Sequence, residues 1–263
     1  MDRYYRMIEE NQDVLAPVYQ FEDIEKNRKS GKISTLLTLE DGGVVFSELA
    51  MLRNYYRLGV RLITLSWNYE NGIGFPNIAS RSFSDYSVVD SKQQVDTVHG
   101  LTEFGKDYVK EMERLGIIVD VSHLNDAGFW DVVRISTKPF VASHSNARAL
   151  CNVARNMSDE MILALKAKGG VMGLNFCSSF LRENSSVSTI EDMVKHILYI
   201  RDLAGVDVIA LGTDFDGIDC ELEIEDCSQM QKLKYALQEA GLNHEEIEKI
   251  FYKNALRVFK QVL

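Results

Sequence analysis

Two histidines, each preceded by a serine, have the residue type and position to bind a metal. His123 ends the segment IIVDVSH and His144 ends PFVASH, so each stands just beyond a short apolar run. If these runs are neighbouring parallel strands, they lie about 4.8 Å apart, close enough for two imidazoles to share one ion. A single histidine at a strand end is more often a hydrogen-bonded structural group. The matched pair, with Glu40 after ISTLLTL, instead favours a His2Glu site that leaves one coordination position open for water.

Two aspartates end the apolar segment VIALGTDFDG. Asp214 is compatible with three roles, a further metal ligand, a general acid and base, or a turn and helix-cap residue, and its position alone does not separate them. Asp216 precedes Gly217 and is more typical of a turn. Arg155 follows His144 in the next predicted loop. Because arginine is mostly exposed in proteins, its residue type alone favours a surface charge.

The other three histidines carry weaker signals. His196 lies inside an amphipathic helical pattern beside Lys195, and His244 falls in the first turn of the last predicted helix, so we expect both to face solvent. His99 stands in a loop before GLTEFG, and its role stays open. The aromatic loop LSWNYENGIGFPN follows a predicted strand and is either ordinary loop packing or one wall of a substrate pocket.

Six short apolar runs alternate with segments of helical period and supply the strands that position these residues. The runs cover residues 33–39, 60–66, 117–121, 139–143, 170–176 and 208–213. The helical segments carry start and stop signals, namely Ser47 and Gly59 around one helix, a capping box of Ser188 with Glu191, and another of Asn243 with Glu246. Strands that alternate with helices predict βαβ units and a parallel sheet that is buried on both faces.

The ends of the strands distinguish an open doubly wound sheet from a barrel. Nearly every run places a polar or aromatic group at the same end, and these groups are Glu40, Trp67, Ser122 with His123, Ser143 with His144, Asn175 and Asp214. A barrel builds its active site from the C-terminal ends of its strands in this way. No G-x-G-x-x-G or P-loop pattern follows a strand, so a nucleotide-binding fold has little support. The sequence therefore predicts an α/β fold of the (β/α)8 TIM-barrel type.

Composition limits the partners and the compartment. The chain has 263 residues, 46% of them apolar, and a formal net charge of −10. One globular domain over residues 1–263 fits these values, and a surface for nucleic acid or an anionic membrane does not. The four cysteines lack C-x-x-C spacing and indicate a reducing compartment. With no apolar stretch near the roughly 18 residues of a membrane span and no signal-peptide core, we expect a cytoplasmic protein.

Six segments, taken together and in order, resemble the renal (membrane) dipeptidase family of zinc metallopeptidases. They are LTLEDGG, RLGVRLITLSWNYEN, GLTEFGKDYVKEMERLGIIVDVSHLND, KPFVASHSNARALCNVARNMSD, GVMGLNF and ALGTDFDG, and the resemblance covers roughly residues 30–262. Members of that family are (β/α)8 barrels with a two-zinc site. They hydrolyse dipeptides, often with a D-residue at the C-terminal position, and are commonly dimeric. The resemblance thus implies a zinc-dependent dipeptidase that forms a homodimer.

The resemblance also implies a role for each matching residue. Glu40 matches the carboxylate that bridges the two metals, and His123 and His144 match the two histidines of one metal. Arg155 matches the arginine that binds the free carboxylate of the substrate, and a guanidinium has the planar geometry for that task. Asp214 matches the aspartate beside the metal-activated water. The catalytic residue is thus expected to be Asp214, which would pass a proton from the water to the leaving amine.

The chain departs from the family pattern where its first strand would be. Family members begin with a strand that ends in H-x-D and supplies ligands of the other metal, and no H-x-D occurs in this chain. The count of six predicted strands, rather than eight, points the same way. We therefore expect a barrel that is shortened at the N-terminus by two βα units and holds at best one zinc.

Two further positions affect the expected site. Trp67 stands where better-known members have a histidine near the substrate, and an indole can donate a hydrogen bond but cannot accept a proton. We expect Trp67 and Asn175 to contact the substrate, with Trp67 changing substrate preference or rate. Asp41 competes with Glu40 as the carboxylate ligand. Glu40 is preferred because its spacing to Trp67 fits the family without a gap.

Three functions are compatible with these observations. The first is a metal-dependent dipeptidase that acts on small dipeptides. The second is a non-catalytic remnant that keeps the barrel for binding or assembly. The third is a related amidohydrolase that cleaves another small amide and needs no free carboxylate on its substrate. The dipeptidase is the preferred hypothesis.

Overall fold

The computed structural model describes residues 1–77 and 95–263. The strands of this part are β1 Leu15–Pro17, β2 Ile33–Thr35, β3 Leu37–Glu40, β4 Val60–Thr64, β5 Ile118–Asp120, β6 Val141–Ala142, β7 Val171–Leu174, β8 Val187–Ser188, β9 Ile209–Leu211 and β10 Glu221–Leu222. Its α-helices are α1 Asp2–Glu10, α2 Phe21–Lys29, α3 Leu49–Arg57, α4 Glu103–Leu115, α5 Asp126–Ile135, α6 Asp159–Ala167, α7 Ser178–Leu181, α8 Ile190–Ala204, α9 Gln231–Glu239, α10 His244–Glu248 and α11 Asn254–Val262. A π-helical segment, Lys249–Lys253, joins α10 to α11. None of the described helices has the length and apolar content to cross a lipid bilayer.

Six parallel strands form the main sheet in the order β3-β4-β5-β6-β7-β9. The predicted α/β class and all six predicted strands are confirmed. The sheet is an open arc of the barrel type, because among the described residues β3 and β9 each have a single neighbour in it. The arc brings the C-terminal ends of all six strands to one side.

The N-terminal part contains elements that the sequence patterns did not predict. Strand β1 pairs in parallel with β2, and α2 connects them, so residues 15–35 form a small βαβ unit. The predicted strand 33–39 is divided at Leu36. Its first half, β2, pairs with β1, whereas its second half, β3, pairs with β4.

The predicted helix caps are partly confirmed. Asn243 and Glu246 form the expected capping box of α10. Helix α8 begins one residue later than predicted, with Thr189 as its N-cap, because β8 holds Ser188 in a strand pair with Leu222. The prediction for Ser47 was also wrong. Ser47 has a φ of 57° in a left-handed turn, and α3 starts after Glu48.

Apolar side chains cover both faces of the main sheet. Consecutive strand residues point to opposite faces. On one face Val119, Ala142, Met172 and Ile209 join the core that contains buried residues of α4, α5, α6 and α8. On the other face Ile118, Val141, Val171 and Ala210 cluster with Val258 and Val262 of α11. Full burial of the valine, isoleucine and methionine side chains among them contributes about 1.5–3 kcal/mol each, so helices on both sides stabilise the sheet.

His196 does not face solvent, and that prediction was wrong. Its side chain is on the buried face of α8 and is 1% exposed. One ring nitrogen, Nδ1, accepts a hydrogen bond from the backbone N–H of Ala147 at 3.2 Å, and Nε2 donates to the carbonyl of Leu181 at 2.9 Å. Both nitrogens are satisfied, so burial carries little penalty and lowers the pKa of His196. His244 is exposed, as predicted.

Candidate metal centre

The strands deliver the predicted site residues to the C-terminal side of the sheet. Glu40 is the last residue of β3, and Asn175 directly follows β7. His123, His144 and Asp214 lie just beyond β5, β6 and β9. Functional groups at the C-terminal ends of parallel strands are the arrangement expected of a barrel-type active site.

Glu40, His123 and His144 converge on one point. Oε1 of Glu40 lies 3.0 Å from Nε2 of His123 and 3.5 Å from Nε2 of His144, and the two Nε2 atoms are 3.0 Å apart. Zinc bonds of about 2.0–2.2 Å would place tetrahedral ligand atoms roughly 3.3 Å from one another. The three atoms therefore have both the chemistry and the spacing to hold one divalent ion.

Hydrogen bonds to the other ring nitrogens orient the two histidines. Nδ1 of His123 lies 2.8 Å from Oδ1 of Asn68, and Nδ1 of His144 lies 2.7 Å from Oγ of Ser143. An amide oxygen only accepts, so Nδ1 of His123 carries the proton and Nε2 offers its lone pair. Metal-binding histidines usually have such a partner. Sequence reasoning assigned no role to Asn68, although it follows Trp67 in the aromatic loop.

The electrostatics keep the ligands unprotonated. Burial, reinforced by the positive charge of Arg155, lowers the pKa of His123 to about 3. The neighbouring imidazoles of His123 and His144 hold the pKa of Glu40 well below its ordinary value. Imidazole and carboxylate are therefore in their metal-binding forms at neutral pH.

Two site residues have a left-handed backbone. His123 has a φ of 68° and Asp214 a φ of 60°, a region that non-glycine residues adopt at a cost of order 1–3 kcal/mol. Asp214 is further oriented by Asn175, whose Nδ2 donates to Oδ2 of Asp214 at 3.1 Å. Burial raises the pKa of Asp214. Strained backbones of this kind cluster at functional sites.

Arg155 is buried beside His144, not on the surface as its residue type alone favoured. Its side chain donates to Oγ of Ser145 and to the carbonyl of His144, both at 2.9 Å, and its guanidinium lies 5.6 Å from the ring centroid of Phe180. Among the described residues, no carboxylate is within ion-pair distance of Arg155, and its Nε has no hydrogen-bond partner. A buried cation in this state can bind an anionic group of a ligand.

Trp67 lies beside His123, and Asp41 does not point toward the two histidines. The ring centroids of Trp67 and His123 are 6.1 Å apart. Asp41 instead accepts hydrogen bonds from the backbone N–H of Gly43 and from the side chains of Tyr69 and Asn71. The geometry thus brings Glu40, rather than Asp41, to the two histidines.

Comparisons with known proteins agree with this architecture. The model of the membrane dipeptidase family, peptidase family M19, matches residues 1–263. An uncharacterised protein from the pqqA 5′ region of Klebsiella pneumoniae is 36% identical over 243 residues, which are 91% of this chain and 86% of that protein. The dipeptidase tcpJ of Claviceps purpurea is 30% identical over 263 residues, and the chain spans 59% of its length.

A solved structure shows the same fold. A metallopeptidase from Rhodobacter sphaeroides, liganded with a phosphinate mimic of the dipeptide L-Ala-D-Ala, superposes with a TM-score of 0.89 at 27% identity. The match covers 100% of this chain and 73% of that chain. Together with the match over all 263 residues and the converging His2Glu set, this places the chain in the membrane dipeptidase family, peptidase family M19.

Proposed function

We propose that this chain is a zinc-dependent dipeptidase that hydrolyses the peptide bond of small dipeptides. The observation that carries the proposal is the convergence of Glu40, His123 and His144, at zinc-compatible spacing, beside Asp214 and the buried Arg155. Family membership supports it, because related proteins are named as dipeptidases and metallopeptidases.

Each residue has a task in the proposed reaction. Glu40, His123 and His144 would hold the metal. When bound, a divalent metal polarises a carbonyl and lowers the pKa of water toward about 7. Asp214 would take a proton from the attacking water and return it to the leaving amine, and the hydrogen bond from Asn175 would hold Asp214 in place.

Arg155 would determine which substrates bind. Its guanidinium would pair with the free C-terminal carboxylate of a dipeptide, which supplies the negative charge that its surroundings lack. Trp67 and Asn175 would contact the rest of the substrate. The ligand of the Rhodobacter protein mimics a dipeptide with a C-terminal D-residue. We therefore include such dipeptides among the substrates to test.

The number of zinc ions and the assembly belong to the same proposal. Glu40, His123 and His144 would together form one metal site. We propose one zinc per chain at this site and a single domain over residues 1–263. We further propose a cytoplasmic homodimer.

Metal content and turnover, measured on the same preparation, test the function. The expected result is close to one zinc per folded chain by elemental analysis, with hydrolysis of simple dipeptides such as Ala-D-Ala and Ala-Ala. The double variant His123→Ala, His144→Ala is the control and should bind no zinc and release no amino acids. A folded, zinc-loaded chain that leaves all dipeptides intact would show that the dipeptidase function is wrong and favour a non-catalytic remnant or another amidohydrolase.

A further inference from the structure

A buried carboxylate lies directly beneath the two histidines. Asp120, the last residue of β5, is 0% exposed. Its Oδ1 accepts hydrogen bonds from the backbone N–H groups of Ser122 at 3.0 Å and Ser143 at 2.8 Å. Its Oδ2 accepts from the hydroxyls of Thr64 and Ser143, both at 2.6 Å. Four donors thus satisfy the carboxylate completely, so it acts as an acceptor only.

The hydrogen bonds of Ser143 determine which nitrogen of His144 carries a proton. A serine hydroxyl has one proton, and that of Ser143 is donated to Asp120. The oxygen of Ser143 must then accept a hydrogen bond from an N–H at Nδ1 of His144, 2.7 Å away. With Nδ1 protonated, a neutral His144 presents the lone pair of Nε2 to Glu40 and His123.

The same carboxylate also holds the backbone next to both ligands. Ser122 precedes His123, and its backbone N–H is fixed by Asp120. The hydroxyl of Ser122 accepts a hydrogen bond from the backbone N–H of His144 at 3.0 Å. Asp120 is thereby connected to the segments that carry both histidines, although it contacts neither imidazole.

We propose that Asp120 is a positioning residue that sets the tautomer of His144 through the hydroxyl of Ser143 and so directs the Nε2 lone pair at the metal. The inference rests on the metal site of the proposed function. Its test does not depend on dipeptide hydrolysis, because tautomer and zinc affinity are measured directly.

The substitution Asp120→Asn keeps the shape of the side chain but reverses the direction of the hydrogen bonds that run from His144 through Ser143 to residue 120. We call this hydrogen-bonded chain the relay. The amide oxygen would accept from the two backbone N–H groups, and the NH2 group would donate to the Ser143 oxygen. The Ser143 proton would then point to Nδ1 of His144, which places the histidine proton on Nε2, the atom that the metal needs. The zinc dissociation constant should rise roughly 10- to 100-fold, which is the usual loss of affinity when a hydrogen-bond partner of a metal-binding residue is replaced.

Nitrogen NMR of ¹⁵N-histidine-labelled, chelator-treated protein at about pH 8.5, above the ordinary imidazole pKa of about 6.5, reads the tautomer. The parent protein should show His144 with its proton on Nδ1, and Asp120→Asn should show it on Nε2. Thr64→Val is the matched control. It removes the other hydroxyl bond to Oδ2 of Asp120 and should leave both tautomer and zinc affinity as in the parent.

If Asp120→Asn fails to fold, Ser143→Ala takes its place, since it removes only the hydroxyl link. It should give a mixture of His144 tautomers and weaker zinc binding. A parent protein with the His144 proton on Nε2, or a folded relay variant with unchanged tautomer and zinc affinity, would overturn the inference. If zinc binds and His144 has the expected tautomer, but no dipeptide is hydrolysed, only the proposed function is refuted.

Discussion

At the scale of residues, Arg155 illustrates what sequence alone could not provide. Its residue type favours the surface, yet the residue is 5% exposed and its guanidinium donates to Ser145 and to the carbonyl of His144. Burial of this cation results from the fold of the loop after β6, which carries Arg155, and from Phe180 of α7, which no local pattern connects to it. The convergence of Glu40, His123 and His144 was predictable because each lies at or just beyond the C-terminal end of a strand, where the apolar pattern fixes its position.

Replacement of Arg155 by alanine tests its role in substrate binding. We expect kcat/KM for dipeptides with a free C-terminal carboxylate to fall roughly 10- to 100-fold, because hydrogen bonds to a charged group contribute about 1.5–3 kcal/mol. C-terminally amidated dipeptides should be cleaved at the parental rate, whether high or low. Equal losses for both substrate types would count against carboxylate binding by Arg155.

The buried, neutral His123 predicts how stability depends on pH in the metal-free protein. Burial lowers its pKa to about 3, whereas an unfolded histidine titrates near 6.5. Between these values the unfolded chain binds one more proton than the folded chain. The contribution of His123 to the free energy of unfolding is therefore complete above pH 6.5 and is lost as the pH falls toward 3. The loss from this residue is at most about 1.4 kcal/mol per pH unit.

Urea unfolding of chelator-treated protein between pH 4.5 and 7 measures this dependence. The variant His123→Gln should show a shallower slope than the parent. The exposed His244 provides the control, because His244→Gln should keep the parental slope. Identical slopes in all three proteins would mean that His123 is not held neutral in the folded state.

At the scale of elements, two glycines allow the ends of β6, β7 and β9 to approach closely. A Cβ on Gly173 would lie 2.0 Å from the carbonyl oxygen of Ser143, and one on Gly212 would lie 1.8 Å from the same atom. Real Cβ atoms do not come this near, so any side chain would displace Ser143. Because His144 is the next residue, strand packing and metal geometry are coupled here.

The variant Gly173→Ala should therefore lose both stability and zinc affinity. Overpacking of this kind costs about 1–3 kcal/mol, visible in chemical unfolding, and movement of His144 should raise the zinc dissociation constant. Gly241→Ala is a suitable comparison. Gly241 has a φ of +90° with no atom within 4 Å of a new Cβ, so its variant should lose stability alone. Unaltered zinc binding in Gly173→Ala would show that strand packing and metal geometry are not coupled at this position.

The elements also show where local patterns stop predicting. Apolar runs located all six strands of the main sheet. Five of them, β4, β5, β6, β7 and β9, are largely buried, and a strand buried on both faces reads as a continuous apolar run. Strand β1 has three residues, one of them Pro17, and is too short to show a pattern. The N-cap of α8 depends on the pairing of Ser188 with Leu222, thirty-four residues away, which no local rule contains.

At the scale of the whole molecule, metal binding should stabilise the folded chain. A ligand that binds only the folded state contributes about 4 kcal/mol at a free concentration of 1,000 times its Kd. For a chain of this size, that free energy corresponds to a rise in Tm of roughly 8–16 °C. Thermal unfolding with buffered zinc, compared with chelator-treated protein, measures the rise. The double variant His123→Ala, His144→Ala should show none, and an equal rise in it would place zinc binding elsewhere.

The packing of α11 has a consequence for synthesis of the chain. Val258 and Val262 cover one face of the main sheet at Ile118, Val141, Val171 and Ala210. The ribosome makes all six strands before it reaches residue 254. Until α11 emerges, this apolar face has no such cover, and exposed apolar surface of this kind is what makes nascent chains prone to aggregation and dependent on chaperones. Maturation of the sheet in the cell therefore waits for the translation of α11.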